Sequence, residues 1–465
     1  MKKISILVGL FIMICLCTPS VLAGDSEIFV EYYDHNANED ILNDIETLNG
    51  TSPEESIFEI DIPYTFIYNT SEEFSWRITY LDESNESVVF PYNNVSVENV
   101  IQTYTFEFAG NYRIEILNNS NSSTVTYYDI YVNHGPLGAY LAIIGAGLAI
   151  GIAGMGAGIG VGIAGAGGAS AIGEDSKRFG KALLFQALPQ TQAIYGLLVA
   201  ILILLGVGII GGGLKSVPVP VGLSAIGAGL ATGIAGLSAI GQGIAAGTGV
   251  GVIKKKESFG TSIIFSVMPE TQAIYGLLVA IFILVGSGIL GGGSAEIVSN
   301  STWSMGVGFA AIAAGLAIGI AGMSAIGQGI AASAGIGATA EDKKMFGKSM
   351  IFTVLPETQA IYGLLVAIFV LLAAGFMGGA GSVFEGLTLK PSMGLGVASI
   401  GAGLAIGIAG LSAIGQGITG GVAIGTVSRN PKTFGQSVIL TVMSETFAIF
   451  GLLIAIFILL GIGFL

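Results

Sequence analysis

The stretch LPETQAIYGLLVAIFVLLAAGF, residues 355–376, places a single carboxylate, Glu357, in an apolar run long enough to cross a bilayer. The same words recur as MPETQAIYGLLVAIFILVGSG at 268–288, LPQTQAIYGLLVAILILLGVG at 188–208 and MSETFAIFGLLIAIFILLGIG at 443–463. An ionisable group in lipid costs several kcal/mol, so it marks a functional site whose partners have to be found. The four near-copies differ at their polar positions: Glu270, Glu357 and Glu445 are acidic, whereas Gln190 is not.

Each copy is the second arm of a unit that repeats every eighty to ninety residues or so, and such a period is read before any fold is assigned. The first arm is built on glycine: IGAGLAIGIAG at 144–154 and 400–410, and IGAGLATGIAG at 226–236. At about 1.5 Å per residue both arms are long enough to span. The expected architecture is all-α in the membrane: four tandem helical hairpins, or eight spans, at residues 136–214, 220–293, 303–380 and 392–465. Glycine at this density points to close helix packing. GAGIGVG at 156–162 matches a dinucleotide fingerprint only by letter, because no strand precedes it.

Composition agrees with this architecture. The chain is 52% hydrophobic and 10% charged, with a mean hydropathy of +0.80, outside the range of soluble domains. Eleven of its 17 Lys and Arg lie in four short turns between the arms, GEDSKRFGK at 173–181, KKKESFG at 254–260, EDKKMFGK at 341–348 and SRNPKTFG at 428–435. The linkers between units hold only Lys215 and Lys390. The positive-inside rule puts the turns in the cytoplasm and the linkers and both chain ends outside.

The net charge of -14 belongs to one segment, since 21 of the 31 acids fall within residues 25–129. There aromatic and β-branched residues alternate with polar ones, as in YTFEFAGNYRIEIL and STVTYYDIYV, predicting a small extracellular β-sandwich over 25–135. Sequons at Asn49, Asn69, Asn85, Asn94, Asn118 and Asn121 suit an external surface. AGNYRIEIL resembles the late strands of polycystic-kidney-type immunoglobulin-like domains. Residues 1–24 read as a secretory signal peptide with two lysines, an apolar run and a small-residue end. It holds both cysteines, Cys15 and Cys17, so a mature chain has neither disulfide nor thiolate site.

The partners of the acids sit on the glycine-rich arms, where LSAIGQG, MSAIGQG and LSAIGQG supply Gln242, Gln328 and Gln416. The midpoint of Gln242 and Glu270 is Lys256, in the charged turn, so the two are level, roughly 20 Å from it. With Glu357 at zero on a helix of about 100° per residue, Thr358, Tyr362 and Gln359 lie at about 100°, 140° and 200°. One hairpin therefore carries half a site on each side, and two must stand together before the oxygens converge. Such an oxygen pocket suits a hard monovalent cation or a proton; soft metals want sulfur or imidazole.

LPETQAIYG beside SAIGQG in tandem Gly-rich hairpins resembles the proteolipid (K or c) subunits of archaeal A-type and related V-type ATP synthases, from Leu137 to Leu465. The resemblance implies a rotor ring of several copies turning against a membrane stator subunit, with central-stalk subunits at the cytoplasmic turns. It implies no catalytic site, cofactor or nucleic-acid partner on this chain, the cargo being Na⁺ or H⁺. Carried over, one site uses Gln242 and Glu270 with Thr191, Gln192 and Tyr195, and a second Gln328 and Glu357 with Thr271, Gln272 and Tyr275. The third uses Gln416 and Glu445 with Thr358, Gln359 and Tyr362. In sodium-binding members a backbone carbonyl joins these ligands and the Tyr bonds the Glu. Hairpin one departs at Gln190 and at Gly160, where the helix-one Gln is expected; hairpin four departs at Phe447 and Phe450.

Three other roles compete. A surface adhesin would put its function in the β-domain and need only a featureless anchor. A passive channel would need a polar stripe through the membrane rather than one depth. Buried polar groups also glue helices, at about 0.6 to 2 kcal/mol each, but glue does not need the same groups at matched depth three times. The Thr and two Gln favour Na⁺, because a proton needs only the carboxyl.

Overall fold

A computed structural model describes residues 137–211, 214, 215, 217–253, 258–290, 304–377, 383, 384 and 389–465, together with eight strands between Phe29 and Asn133. The signal peptide predicted at 1–24 lies outside the described residues. The chain divides into a strand-bearing unit and a helical unit.

In the first unit the strands are β1 (Phe29–Asp34), β2 (Phe58–Glu59), β3 (Pro63–Asn69), β4 (Phe74–Asp82), β5 (Asn85–Val95), β6 (Val100–Thr105), β7 (Gly110–Asn118) and β8 (Val125–Asn133). They form a three-stranded sheet in the order β1-β3-β6 and a five-stranded sheet in the order β2-β8-β7-β4-β5. The pairs β1/β3, β3/β6, β4/β5 and β4/β7 are antiparallel.

The helical unit has eight spans: α1 (Leu137–Glu174), α2 (Ser176–Gly206), α3 (Val219–Val252), α4 (Ser258–Gly286), α5 (Met305–Glu341), α6 (Met345–Ala373), α7 (Lys390–Arg429) and α8 (Pro431–Gly461). All are apolar and long enough to cross a membrane, which makes the chain a multi-pass membrane protein of four hairpins. The turns within hairpins one, three and four share one device. Asp175, Asp342 and Asn430 accept from the backbone N–H two residues on, at 3.1, 3.0 and 3.2 Å, and so start the second arm.

The odd-numbered helices stand side by side in one dense row, each touching the next, while the even-numbered helices form a looser second row. Glycine sets the density. A Cβ on Gly229 would lie 2.1 Å from the Gly145 carbonyl oxygen, and one on Gly241 would lie 2.0 Å from that of Ala325. Neither place admits a side chain, so backbones meet directly, as small-residue packing in membranes requires.

Both kinds of helix change pitch near mid-membrane, for different reasons. In α2, α4 and α6 a proline without an N–H (Pro189, Pro269, Pro356) tightens one turn into 3₁₀ geometry at Leu188–Gln190, Met268–Glu270 and Leu355–Glu357. In α3, α5 and α7 the tightening follows Gly236, Gly322 and Gly410, with i→i−3 bonds such as Leu237 N to Ile234 O, Met323 N to Ile320 O and Leu411 N to Ile408 O. Helix α1 runs unbroken for 38 residues.

That difference corrects one expectation. A Cβ on Gly160 would strike the Ala239 carbonyl at 2.1 Å, as Gly241 strikes Ala325 and Gly327 strikes Ala413, both at 2.0 Å. Gly160 is thus the counterpart of Gly241 and Gly327, one residue before the glutamine, and Val161 takes the glutamine's place. A 3₁₀ turn rises about 2.0 Å per residue against about 1.5 Å in an α-helix, so unbroken α1 spends one more residue to reach the same level.

Candidate functional site

At the level of the 3₁₀ turns the structure brings the predicted residues together in three places, always across a hairpin boundary. In the first, the Tyr195 hydroxyl donates to Glu270 Oε1 at 2.8 Å and Gln242 Nε2 donates to Glu270 Oε2 at 3.3 Å. Gln192 Nε2 donates to Gln242 Oε1 at 2.7 Å, and the Thr191 hydroxyl lies 3.1 Å from Gln192 Oε1. Tyr195, Gln192 and Thr191 come from α2; Gln242 and Glu270 come from α3 and α4.

The second place repeats the first. Tyr275 and Gln328 donate to the two oxygens of Glu357 at 2.8 and 3.1 Å. Gln272 donates to Gln328 at 2.8 Å, with Thr271 3.1 Å from Gln272 Oε1. In the third, Tyr362 and Gln416 donate to Glu445 at 2.7 and 3.4 Å, Gln359 donates to Gln416 at 2.7 Å, and Thr358 lies 3.1 Å from Gln359 Oε1. All twelve residues expected to bind the ion, and all three tyrosines, are therefore in these clusters.

The local geometry follows from the sequence around each proline. The 3₁₀ turn leaves the residue before proline with a carbonyl that accepts from the threonine hydroxyl: Leu188 at 3.1 Å, Met268 at 3.0 Å and Leu355 at 3.0 Å. Three oxygens (carbonyl, hydroxyl and amide) are gathered on one side, and a carboxylate held by two donors faces them across the helix-one glutamine. The glutamines Gln192, Gln242, Gln272, Gln328, Gln359 and Gln416 are fully buried. Glu357 is 9% exposed, while Glu270 and Glu445 are half-buried. Buried polar groups are kept where each is paired, and every member here has a partner. The carbonyl-bearing residues Leu188, Met268 and Leu355 carry no side-chain signal; proline one residue later is the mark by which sequence could have found them.

The faces at the two ends of the chain have no such cluster. Gln190 is exposed on α2 and Val161 is half-buried on α1. Phe447 and Phe450 on α8 are 63% and 56% exposed, stacked edge to face on one another at 6.3 Å.

The family profile for the C-type subunit of ATP synthase matches the chain four times, over residues 144–203, 221–283, 305–370 and 400–458. The chain belongs to this family. One match falls on each hairpin, and the proteolipid is thereby a subunit of the A-type and V-type ATP synthase group. It is 53% identical to the K subunit of the A-type ATP synthase of Methanocaldococcus jannaschii over 52% of this chain and 98% of that one. It is 34% identical to the K subunit of the V-type sodium ATPase of Enterococcus hirae over 30% of this chain and 81% of that one. The 16 kDa proteolipid of the V-type proton ATPase of Nephrops norvegicus is 31% identical over 26% of this chain and 74% of its own length.

Proposed function

We propose that this proteolipid is part of a rotor ring and carries one monovalent cation at each of three sites, centred on Glu270, Glu357 and Glu445. The observation that carries this is the threefold recurrence of one hydrogen-bonded set, Tyr and Gln on the carboxylate and Thr and Gln beside it, always shared by two adjacent hairpins. A neutral proton-loaded carboxyl needs one acceptor. The glutamine, threonine and carbonyl oxygens gathered here exceed that need and favour Na⁺. Relatives named for sodium and for protons both align with the chain.

The charge travels by exchange. An ionised glutamate attracts the cation, and the neutral pair then crosses lipid at far lower cost than either ion alone. A stator subunit bearing a fixed cation would release the ion from the carboxylate as each site passes. ATP chemistry would belong to soluble subunits docked on the cytoplasmic turns, and the strand-bearing unit would lie outside the cell.

Ring formation has support in the glycines. Gly229, Gly233 and Gly236 of α3 pack against α1, and Gly243 packs on Gly160. Their counterparts Gly147, Gly151, Gly154 and Gly162 on α1 face open space. The same surface that joins hairpins within the chain is thus presented at its end to another copy.

A carbodiimide that attacks protonated carboxyls tests the site assignment. Labelling of Glu270, Glu357 and Glu445, suppressed by Na⁺, is the expected result. Labelling indifferent to Na⁺ from low to high pH would remove sodium as the cargo, and absence of labelling at all three would remove the site.

A further inference from the structure

Eight buried side-chain hydroxyls among the described residues have no hydrogen-bond partner, and three of them occupy one position in three hairpins: Ser238, Ser324 and Ser412. The other five, Thr232, Ser266, Ser304, Thr339 and Ser349, do not recur in this way. A sealed, unpaired hydroxyl costs about 1–3 kcal/mol, which a chain has no reason to repeat three times unless the group meets something there.

Why the hydroxyls are unpaired is visible in the backbone. A serine or threonine inside a membrane helix ordinarily donates to the carbonyl four residues back, as Ser224 does to Pro220 at 2.8 Å and Thr353 to Ser349 at 2.9 Å. Ser238, Ser324 and Ser412 stand within the i→i−3 turns, flanked by Ile240 N to Leu237 O, Ile326 N to Met323 O and Ile414 N to Leu411 O. The tightened turn withholds the usual acceptor and leaves the hydroxyl free. Each serine lies four residues before Gln242, Gln328 or Gln416, on the same helix face and one turn toward the extracellular side.

The hairpin without a glutamate provides the contrast inside the same chain. Helix α1 has no tightened turn, and with Gly160 aligned to Gly241 its residue at the serine position is Ala157, which is buried. Tight turn, serine, glutamine and glutamate are present together three times and absent together once.

We propose that Ser238, Ser324 and Ser412 are positioning residues of the three cation sites, each holding one water that closes the pocket on its extracellular side and gives the bound cation a further oxygen. The proposal rests on the cation-binding function proposed above. Successive turns of a helix face are about 5–6 Å apart, which is the span of one water making two hydrogen bonds of about 2.8 Å.

The three glutamates fall on separate peptides of one chain, so each site reports on itself. In the intact ring, Ser324→Ala should raise the Na⁺ concentration that half-protects Glu357 from carbodiimide about tenfold, the equivalent of one hydrogen bond of about 1.4 kcal/mol. Glu270 and Glu445 should be unmoved. Ser238→Ala should shift Glu270 alone. A general loss of ring integrity would move all three together, and that pattern, or protection curves that overlay those of the unaltered protein, would overturn the proposal. If Na⁺ protects none of the three glutamates in the unaltered ring, the cation reading itself fails; a wild-type ring that is protected while both variants behave normally removes only the serines.

Discussion

Replacing Glu357 by glutamine separates binding from folding, because the hydrogen-bond chain around it can heal. The new amide keeps an oxygen for the Tyr275 hydroxyl, now at 2.8 Å from Glu357 Oε1. Its nitrogen then meets Gln328 Nε2 where a 3.1 Å hydrogen bond stood, two donors facing each other. Rotating the Gln328 amide by half a turn cures that clash and sets its nitrogen against Gln272, 2.8 Å away. A second half turn at Gln272 passes the mismatch to Thr271, whose hydroxyl, 3.1 Å away, accepts as well as donates. The variant should therefore fold and assemble with a stability change below about 1 kcal/mol. Binding should not survive. A cation about 2.5 Å from a carboxylate oxygen gains about 6 kcal/mol at an effective dielectric constant of 20, or roughly four orders of magnitude in affinity. Neutral amide oxygens recover a fraction of that. Counting radioactive Na⁺ on purified rings should fall from three per chain to two, with ring mobility unchanged and coupled ATP synthesis abolished. A count that stayed at three would refute the assignment of Glu357 as a ligand.

Three other outcomes are expected. Tyr275→Phe removes one donor from the Glu357 carboxylate, worth about 1.5 kcal/mol or a little more for a charged acceptor, so labelling of Glu357 at fixed Na⁺ should rise at least about tenfold with the other two glutamates unaffected. Gly241→Val would force Cβ to within 2.0 Å of the Ala325 carbonyl oxygen, a backbone atom that cannot yield; assembled ring in native gels should be lost, whereas Gly158→Val, where nothing lies within 4 Å in the chain, should leave the single chain's helical content intact by circular dichroism. Gln190→Glu alone should create a carboxyl that reacts with carbodiimide but is not protected by Na⁺; protection equal to that of Glu357 would mean that the chain junction supplies the missing oxygens.

Much of this arrangement was legible because a membrane removes choices. Backbone groups in lipid must be paired internally, so an apolar repeat of this length can only be helices, and the clustering of Lys and Arg in four turns orients them. The split of each site between hairpins followed from angles alone: Thr358, Gln359 and Tyr362 point away from Glu357, and the structure places them on Glu445 and Gln416 instead. What escaped depends on pitch. Gly160 takes the glutamine's place only when every residue is given the same rise; one tightened turn in α3 moves the match to Val161. The same blind spot hid the unpaired serines, since a hydroxyl's partner is decided by whether the local turn closes at i−3 or i−4. The carbonyls of Leu188, Met268 and Leu355 escaped because a ligand contributed by the backbone leaves no letter of its own.

Under the proposed pairing, the departures from the repeat are one event rather than four. A site needs the glutamine and glutamate of one hairpin and the threonine, glutamine and tyrosine of the hairpin before it. Hairpin one lacks the first half, having Val161 and Gln190; hairpin four lacks the second, having Phe447 and Phe450. Within the chain every interface has both halves intact, so none of the changed residues touches a complete cluster. The half-sites at the two ends meet only when one copy follows another around a ring. Once one end had lost its carboxylate, polar oxygens on the other end would have faced no ion, and unpaired polar groups in lipid are costly; two stacked phenylalanines fill that surface with apolar area instead. Energetically the loss is not neutral. Each ion that moves is worth about 2.3 kcal/mol per 100 mV, and three ions for four hairpins means that a turn of the ring delivers three quarters of the work its helix count suggests. A ring built this way needs a steeper ion gradient to drive synthesis, or, run in reverse, sustains a steeper gradient for each ATP spent. Fusing four hairpins into one polypeptide is what makes that ratio possible, because a ring of identical single hairpins can only lose every site or none.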